Sequence, residues 1–382
     1  YIEQSGKDWT VKASTNRLEL LPDSDFIIST IEVAGVRNVL HDYEIPLKSG
    51  VDQCIGDTIG PGGIFKMLRT GPAWMAIVKD IERLAPEAIV INYTNPMSAL
   101  TLLGMRSSSC QLVGLCHSVQ GTSQQLALYA GVPYEEMKWQ CAGINHMAWF
   151  TELSHSGEDL YPVLLEKLKD PELYDADPVR FEMKKHFGAF VTESSGHFSE
   201  YLPYFRKNKA ALEKFTGEGH LGESGYYAKN WPKNREDAEA LIKRQLESNS
   251  KFTIERSGEY ASKIIEAKIF NEPFVIHGNV INNGAIVNLP ENACVEIPIL
   301  IDRNGLQPVY FGRLPEQMAA LNRTHISVHN LMVKAVMDKD KKAALHALML
   351  DPLTSAVCTP AQITGMFEEM WATQKEDLKY YL

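Results

Sequence analysis

The sequence predicts an α/β protein built on a doubly wound parallel sheet, followed by a mixed α+β region. Short, continuous apolar runs alternate with segments of helical spacing over the first 140 residues, which is the pattern of strand–helix–strand units. These runs lack polar alternation, as expected of parallel strands that are covered on both faces. Beyond residue 140 this alternation stops, and we therefore predict two domains, 1–140 and 141–382.

The elements of the first domain follow from apolar spacing and from the residues that interrupt it. Apolar residues recur at helical spacing between Trp74 and Ile81, and Pro86 ends that helix. The predicted strands are 25–31, 88–92 and 111–116, and the predicted helices are 70–84 and 118–129. Because the first strand arrives without a preceding strand and glycine loop, we expect a further βαβ unit of roughly 30 residues before it.

The second domain is predicted to carry a second, mixed sheet between charged helices. Apolar runs at 147–153 and 273–277 are typical of strands, whereas 235–247 and 314–340 have the length and composition of helices. The polar segment 206–250 is interpreted as a solvated helical insertion, with a mobile flap as the alternative.

Composition argues against nucleic-acid binding and against membrane insertion. The net charge is −10 and no dense block of Lys and Arg occurs, whereas phosphate binding needs a basic surface. No apolar run approaches the roughly 20 residues of a membrane span, and no signal peptide is evident. The six cysteines are scattered without a CxxC pair, which favours reduced thiols and a cytoplasmic location.

Polar residues follow three predicted strands within a short stretch of chain. They lie at 92–96, 116–118 and 143–146, and ligands of open α/β sheets bind at the carboxyl ends of the strands. Cys116 and His146 are ligand types that suit a divalent transition metal, and their softness favours zinc. The alternative is that Cys116 is a core residue and His146 a hydrogen-bonded structural one.

Three further segments can each be interpreted either as structural or as functional. The glycine-rich segment 57–63 leads into a helix and is either a tight turn or a ligand-binding loop. The aromatic segment 200–206 is either packing or the place of a basic tyrosine with a lowered pKa. The amide-rich loop 278–288 indicates either turn chemistry or hydrogen bonding to sugar hydroxyls.

Taken together, these motifs resemble glycoside hydrolase family 4, and most closely its bacterial α-galactosidase (melibiase) branch. The resemblance runs over nearly the whole chain and rests on the segments 57–64, 92–97, 114–120, 142–149, 191–195 and 278–280. It implies an NAD-binding Rossmann domain and a divalent metal, usually manganese rather than zinc. It also implies a cytoplasmic homodimer or homotetramer that cleaves α-glycosides, with α-galactosides as the expected substrates.

The resemblance implies a redox route to hydrolysis, because this family is an exception to the two-carboxylate scheme of most glycosidases. NAD takes a hydride from C3 of the sugar, and the new ketone acidifies the hydrogen at C2. A base removes that proton, the group at C1 leaves, water adds and the hydride returns. The metal stabilises the enediolate.

Specific roles follow from the same resemblance. Cys116 and His146 match the metal ligands, and Tyr201 matches the base that acts at C2. His117 stands where other branches place an acidic residue, and it either protonates the leaving oxygen or holds the sugar. The remaining candidates are Asn95, Asn145, His117 and Arg206 for substrate, and Asn92, Asn95 and Gly62 for the cofactor.

Other functions remain open on the sequence alone. An NAD-dependent dehydrogenase of the lactate/malate type shares the sheet but needs no metal, and no Arg–His–Asp dehydrogenase set is evident. A non-catalytic sugar or nucleotide sensor is a third class. Within the resembled family, an α-glucosidase or an α-galacturonidase is the alternative to an α-galactosidase.

Overall fold

The computed structural model describes residues 2–167, 169–248 and 258–382. Within this part of the chain, ten strands form one sheet in the order β1-β2-β3-β8-β9-β4-β5-β6, with β10 on β9 and β7 on β5. The strands are β1 Phe26–Ser29, β2 Ile89–Asn92, β3 Gln111–Gly114, β4 Met137–Ile144, β5 Met147–His155, β6 Glu158–Asp159, β7 Phe190–Val191, β8 Phe274–Ile281, β9 Cys294–Asp302 and β10 Gly305–Pro308.

Helices cover the sheet and extend from it. In the described residues they are α1 Ile2–Ser5, α2 Gly35–Lys48, α3 Gly60–Leu84, α4 Met97–Ser107, α5 Ser118–Ala130, α6 Tyr161–Lys167, α7 Pro171–Ala176, α8 Pro178–Phe187, α9 Ser195–Phe198, α10 Lys209–Phe215, α11 Tyr226–Glu247, α12 Tyr260–Phe270, α13 Glu316–Met337, α14 Lys341–Leu350, α15 Pro352–Val357 and α16 Pro360–Thr373. None of the helices in these ranges has the length and apolarity that crossing a membrane requires.

The parallel half of the sheet confirms the predicted fold class. Strands β1, β2 and β3 are parallel, and their ends are in register: Ser29 pairs with Asn92, which pairs with Gly114. The side chains of β2 are fully covered, as the continuous apolar run predicts. The register brings the residues that follow the three strands to one edge of the sheet.

The prediction of a separate second sheet is wrong. Strand β8 continues the parallel sheet by pairing antiparallel with β3 through Gly114 and Asn279. Strand β9 then joins β8 to β4, where Gly143 pairs with Glu296. The predicted strands 147–153 and 273–277 therefore belong to the same sheet, because a sheet with an open edge strand gains hydrogen bonds by extension. The domain boundary at residue 140 stays a prediction.

Helices take up most of the described part of the polar segment 206–250, in agreement with the predicted helical insertion. Helix α10 and the long helix α11 lie here, and most side chains in the second half of α11 are exposed. Residues 249 and 250 lie outside the described residues.

The glycine-rich segment 57–63 leads into α3 and forms its first turn from Gly60 onward, so the helix begins ten residues before the predicted start. Proline at the first positions of a helix costs no hydrogen bond, so Pro61 fits there. A methyl group on Gly62 would lie 2.1 Å from the carbonyl oxygen of Gly56. The N–H of Gly62 donates to Oε1 of Gln53 at 3.2 Å, so this glycine allows close packing of helix and loop.

Replacing Gly62 with alanine tests this packing. We expect Gly62→Ala to destabilise the fold by about 1–3 kcal/mol, because the methyl group forces the backbone of the loop to move. Gly365→Ala is the control, since its methyl group would meet nothing within 4 Å in α16 and alanine is expected to stabilise that helix by up to about 1 kcal/mol. Urea unfolding measures both, and equal stability of Gly62→Ala and the parent would contradict the packing role.

Candidate active site

Cys116 and His146 lie together at the carboxyl edge of the sheet. Cys116 follows β3, and the ladder continues as Leu115 donates its N–H to the carbonyl oxygen of Asn92. His146 occupies the two-residue turn between β4 and β5 with φ of 65°, a left-handed conformation that a histidine adopts at some cost. The Cys116 Sγ and His146 Nε2 atoms are 3.3 Å apart.

Glu193 completes this group, and sequence reasoning did not single it out. It follows the two-residue strand β7, which pairs with β5 beside the turn of His146. Its Oε2 lies 3.2 Å from Nε2 of His146, and the thiol, imidazole and carboxylate atoms all lie within 4.8 Å of one another. The sequence did offer a signal for Glu193, because it lies in the segment 191–195, which is part of the family resemblance. The resemblance gave its carboxylate no role.

The charges of this group support one another. Burial raises the pKa of Glu193, but His146 and His197 outweigh it and hold that pKa below its ordinary value. Burial opposes protonation of His146, yet Tyr201, Glu193 and Cys116 raise its pKa well above the ordinary value. A buried imidazole that is surrounded by anionic or electron-rich groups attracts a cation, which is either a proton or a metal ion.

Tyr201 lies behind His146 and contacts its other ring nitrogen. The Tyr201 hydroxyl is 2.9 Å from Nδ1 of His146 and 2.7 Å from Oγ1 of Thr58. Thr58 in turn lies 3.1 Å from Nε2 of His197. Burial raises the pKa of Tyr201, and the contacts with His146 and Thr58 oppose that rise. Sequence reasoning missed Thr58 and His197, although Thr58 stands within the glycine-rich segment.

Asn95 connects the strand edge to the glycine-rich segment. Its Nδ2 donates to Oδ2 of Asp57 at 3.1 Å, and Lys66 lies 3.2 Å from the same oxygen. Burial raises the pKa of Asp57, but Lys66, His197 and Asn95 outweigh burial and lower it. Asn95 is half-buried, so its amide borders the crevice while Asp57 fixes its orientation.

Asn145, the other residue of the His146 turn, belongs to a buried polar cluster with Asn279 and Glu296. Asn279 donates to Oε1 of Glu296 at 3.1 Å. Burial raises the pKa of Glu296 to about 7. A hydrogen bond from Asn145 opposes this rise in the pKa of Glu296, and Oδ1 of Asn279 has no hydrogen-bond partner within the described residues. The cluster supports the turn from below, and Glu296 was not predicted.

His117 is at the surface of the same edge. Its Nε2 lies 2.7 Å from Oε1 of Glu259, and its ring stacks on Tyr93 with centroids 6.0 Å apart. Its side chain is 64% exposed, so it can reach solvent or a bound ligand without moving neighbouring side chains.

Three predicted residues are engaged elsewhere in the described structure. Arg206 is fully buried and forms an ion pair with Asp52 at 2.8 Å. The Asn92 amide shapes the turn after β2 by contacts with Thr94, and Gly62 packs against the loop before α3. In the amide-rich loop, Asn282 donates to three backbone carbonyls, as the turn interpretation predicts.

The fold and the site define an α/β protein whose crevice combines metal-ligand donors with acid–base side chains. The sequence model of family 4 glycosyl hydrolases matches residues 1–132, and that of the family's C-terminal domain matches residues 141–354. The chain belongs to glycosyl hydrolase family 4. Family membership favours glycoside hydrolysis over the dehydrogenase and sensor alternatives.

The chain is similar to α-galactosidases and to an α-galacturonidase of this family. An α-galactosidase of Bacillus subtilis is 39% identical over 97% of this chain and 85% of its own length. An α-galactosidase of Rhizobium meliloti is 36% identical over 100% of this chain and 79% of its own length. An α-galacturonidase of Bacillus subtilis is 32% identical over 90% and 81%, respectively.

Solved structures confirm the fold. The Bacillus subtilis protein lplD has a TM-score of 0.82 at 29% identity and covers 94% of this chain and 86% of that chain. A 6-phospho-β-glucosidase of Thermotoga maritima, solved with manganese, NAD⁺ and glucose-6-phosphate, has a TM-score of 0.78 at 21% identity, over 98% and 87% of the two chains.

The Glu193 carboxylate gives a direct test of the metal site. We expect Glu193→Gln to weaken binding of Mn²⁺ and Zn²⁺ by roughly 10–100-fold, because an anionic oxygen donor is lost. Glu182→Gln is the matched control, since Glu182 lies on α8 and contacts Tyr174 of α7 and His186 instead. Titration calorimetry on metal-free protein measures both. Unchanged affinity in Glu193→Gln would exclude Glu193 from the ligand set.

Proposed function

We propose that this chain is an α-galactosidase that acts on unphosphorylated α-galactosides with NAD and a divalent metal. The observation that carries the proposal is the Cys116–His146–Glu193 group with Tyr201 on the opposite nitrogen of His146. The two α-galactosidase relatives support the choice of sugar. α-Galacturonides and α-glucosides are the alternatives. A cytoplasmic location and homo-oligomeric assembly stay predictions.

The donor set fits a divalent transition metal held by three protein ligands with further positions open. Cys116, His146 and Glu193 would hold it, and the oxygen donor of Glu193 adds the harder ligand type that manganese prefers. The carboxyl edge of β1, β2 and β3 is where a dinucleotide binds in such sheets. When bound, NAD supplies a hydride acceptor and the metal stabilises negative charge on sugar oxygens.

The side chains of this chain would then orient the sugar and move protons. A histidine that binds a metal through Nε2 carries its proton on Nδ1, so His146 would donate to the Tyr201 oxygen. A hydrogen bond from Thr58 to the same oxygen adds to this, and both favour the phenolate that accepts the C2 proton. Asn95, held by Asp57, would bind a sugar hydroxyl.

His117 would act at the leaving group. It is exposed at the strand edge directly after Cys116, and Glu259 orients its ring through the 2.7 Å contact. Its imidazole would donate a proton to the departing oxygen as a general acid.

Omission of cofactors tests the proposed reaction. We expect hydrolysis of methyl α-galactoside only when both NAD and Mn²⁺ are supplied to chelator-treated protein, because oxidation and charge stabilisation are separate requirements. The β-anomer, the α-galacturonide and the 6-phosphogalactoside serve as comparison substrates at equal concentration. Full activity without both additions would refute the redox route, and a preference for the galacturonide or the phosphorylated sugar would refute the substrate assignment.

Replacement of Tyr201 tests the base. We expect Tyr201→Phe to lower kcat by roughly 10²–10⁴ at saturating metal, and to slow deuterium incorporation at C2 of the product in D₂O to the same extent. Tyr204→Phe is the matched control, because Tyr204 is 41% exposed and packs on Phe187 away from His146.

The metal affinity of the variant distinguishes a Tyr201 that acts as the base from a Tyr201 that only orients His146. If Tyr201 only orients His146, its loss should weaken metal binding by about 10–100-fold and leave kcat at saturating metal unchanged. Parent protein that hydrolyses the substrate in D₂O without deuterium at C2 would eliminate the proposed proton transfer altogether.

A further inference from the structure

An irregular loop brings Asp57 and Thr58 to the candidate active site. Residues 49–59 join α2 to α3 without a strand or helix of their own. Asp57 accepts a hydrogen bond from Asn95 at 3.1 Å, and the hydroxyl of Thr58 lies 2.7 Å from that of Tyr201. Because no ladder of hydrogen bonds pairs the backbone of such a loop, each of its buried polar groups needs its own partner. Those partners fix the places of Asp57 and Thr58.

Glu200 pairs three successive backbone N–H groups of this loop. Its Oε1 accepts from Cys54 and from Ile55, both at 2.6 Å, and its Oε2 accepts from Gly56 at 2.9 Å. The side chain is 2% exposed. Consecutive N–H groups that converge in this way form an anion-binding concavity, and hydrogen bonds to a carboxylate are stronger than those to a neutral acceptor. Here the bound anion is a side chain of the protein itself.

The place of Glu200 in the sequence links the loop to the proposed base. Glu200 directly precedes Tyr201, so its carboxylate and the phenol extend from adjacent points of one backbone. The carboxylate meets residues 54–56, and the phenol meets Thr58 two residues further along the same loop. The distance between Thr58 and Tyr201 therefore depends directly on the bonds that Glu200 makes.

Other bonds keep the loop attached to the protein without Glu200. The carbonyl oxygens of Gln53 and Cys54 accept from the N–H groups of Gly225 and Tyr227, at 2.7 and 2.9 Å. The guanidinium group of Arg206 donates to the carbonyl oxygen of Asp52 at 3.0 Å and to its carboxylate at 2.8 Å. A change at Glu200 is thus expected to shift residues 54–58 rather than to unfold the protein.

The contact between Thr58 and Tyr201 is sensitive to such a shift. Thr58 has one hydroxyl proton, which it donates to Tyr201 when Nε2 of His197, 3.1 Å away, donates to Thr58 in turn. A displacement of about 1 Å would lengthen the 2.7 Å contact beyond hydrogen-bond range. The oxygen of Tyr201 would then lose one of the donors that favour its phenolate form.

We propose that Glu200 is a positioning residue for Tyr201, which acts by holding residues 54–58 so that the Thr58 hydroxyl donates to the phenolic oxygen. The inference rests on the proposed function, which assigns removal of the C2 proton to Tyr201. Because the bonds of Glu200 run to the loop and not to the proposed metal ligands, its loss should change turnover more than metal or substrate binding.

A double-mutant cycle tests whether Glu200 acts through Thr58. We expect Glu200→Gln and Thr58→Val each to lower kcat for methyl α-galactoside by about tenfold at saturating NAD and Mn²⁺, with KM and Mn²⁺ affinity within about twofold of the parent. The double variant should be no slower than the slower single variant, because residues that act as one unit are not additive. A loss of about 100-fold in the double variant, the product of two independent effects, would overturn the proposal.

Three further variants complete the cycle. Thr58→Ser keeps the hydroxyl and should recover most of the turnover that Thr58→Val loses. Glu82→Gln is the matched control and should keep the parent kcat, since Glu82 also accepts a backbone N–H, from Ser109 at 2.8 Å, but outside the candidate active site. If Glu200→Gln does not fold, Glu200→Asp takes its place, because it keeps the charge and is one methylene group shorter.

The turnover of each variant is referred to the concentration of Mn²⁺-binding sites from titration calorimetry. A loss of folded protein then does not count as a loss of kcat. A kcat per site equal to that of the parent in Glu200→Gln, or in Glu200→Asp where that variant is used, would refute the positioning role.

Hydrogen exchange followed by mass spectrometry tests the loop without relying on turnover. Amides in peptides that cover residues 52–58 should exchange about tenfold faster in Glu200→Gln than in the parent, because local opening costs less when their acceptor is weakened. Peptides from β2 should be unchanged. Equal exchange of the loop in both proteins would overturn the proposal. If the parent does not hydrolyse methyl α-galactoside, the proposed function fails, while the exchange still reports whether Glu200 holds the loop.

Discussion

The imidazole of His146 holds the candidate active site together, because its two nitrogens contact separate parts of the chain. Nε2 faces Cys116 after β3 and Glu193 after β7, and Nδ1 faces Tyr201. The ring can meet all three only because His146 sits in a two-residue turn with a left-handed backbone. Strain of this kind persists where the surrounding packing imposes it. Here the turn consists of Asn145 and His146, and it is fixed by β4 and β5 on either side and by the buried Glu296 of β9, which pairs with Gly143 at the end of β4.

Two strands from a distant part of the sequence separate the turn of His146 from Cys116 in the sheet. Strands β8 and β9 lie between β3 and β4, so the distance between Cys116 and His146 depends on how closely the four strands approach one another. The approach of β8 to β3 is close at Gly114, where a methyl group would lie 3.1 Å from Cβ of Asn279. On the far side of β4, a methyl group on Gly143 would lie 2.5 Å from the carbonyl oxygen of Met147 on β5. Glycine at these positions lets the backbones pack without displacement.

Local patterns predicted the parallel strands and the Cys116–His146 pair, because continuous apolar runs and the polar residues that end them are close in sequence. The single sheet was not predictable in this way, since Asn279 meets Gly114 across 165 positions of sequence. Glu193 follows a strand of two residues, too short for a periodic signal. Tyr201 and Arg206 are only five residues apart in sequence, yet Arg206 forms its ion pair with Asp52. Sequence spacing does not reveal the direction in which such a side chain points. The roles of the site residues stay predictions.

Tyr201 shows why the proposed base and the proposed metal site cannot be treated separately. Burial raises the pKa of this phenol, so a phenolate requires hydrogen-bond donors on its oxygen. Thr58 provides one when its hydroxyl donates, and Nδ1 of His146 provides another when the imidazole proton resides there. The proton occupies Nδ1 when the lone pair of Nε2 is engaged as a ligand beside Cys116 and Glu193. The strength of Tyr201 as a base is therefore coupled, through one imidazole ring, to what Nε2 binds.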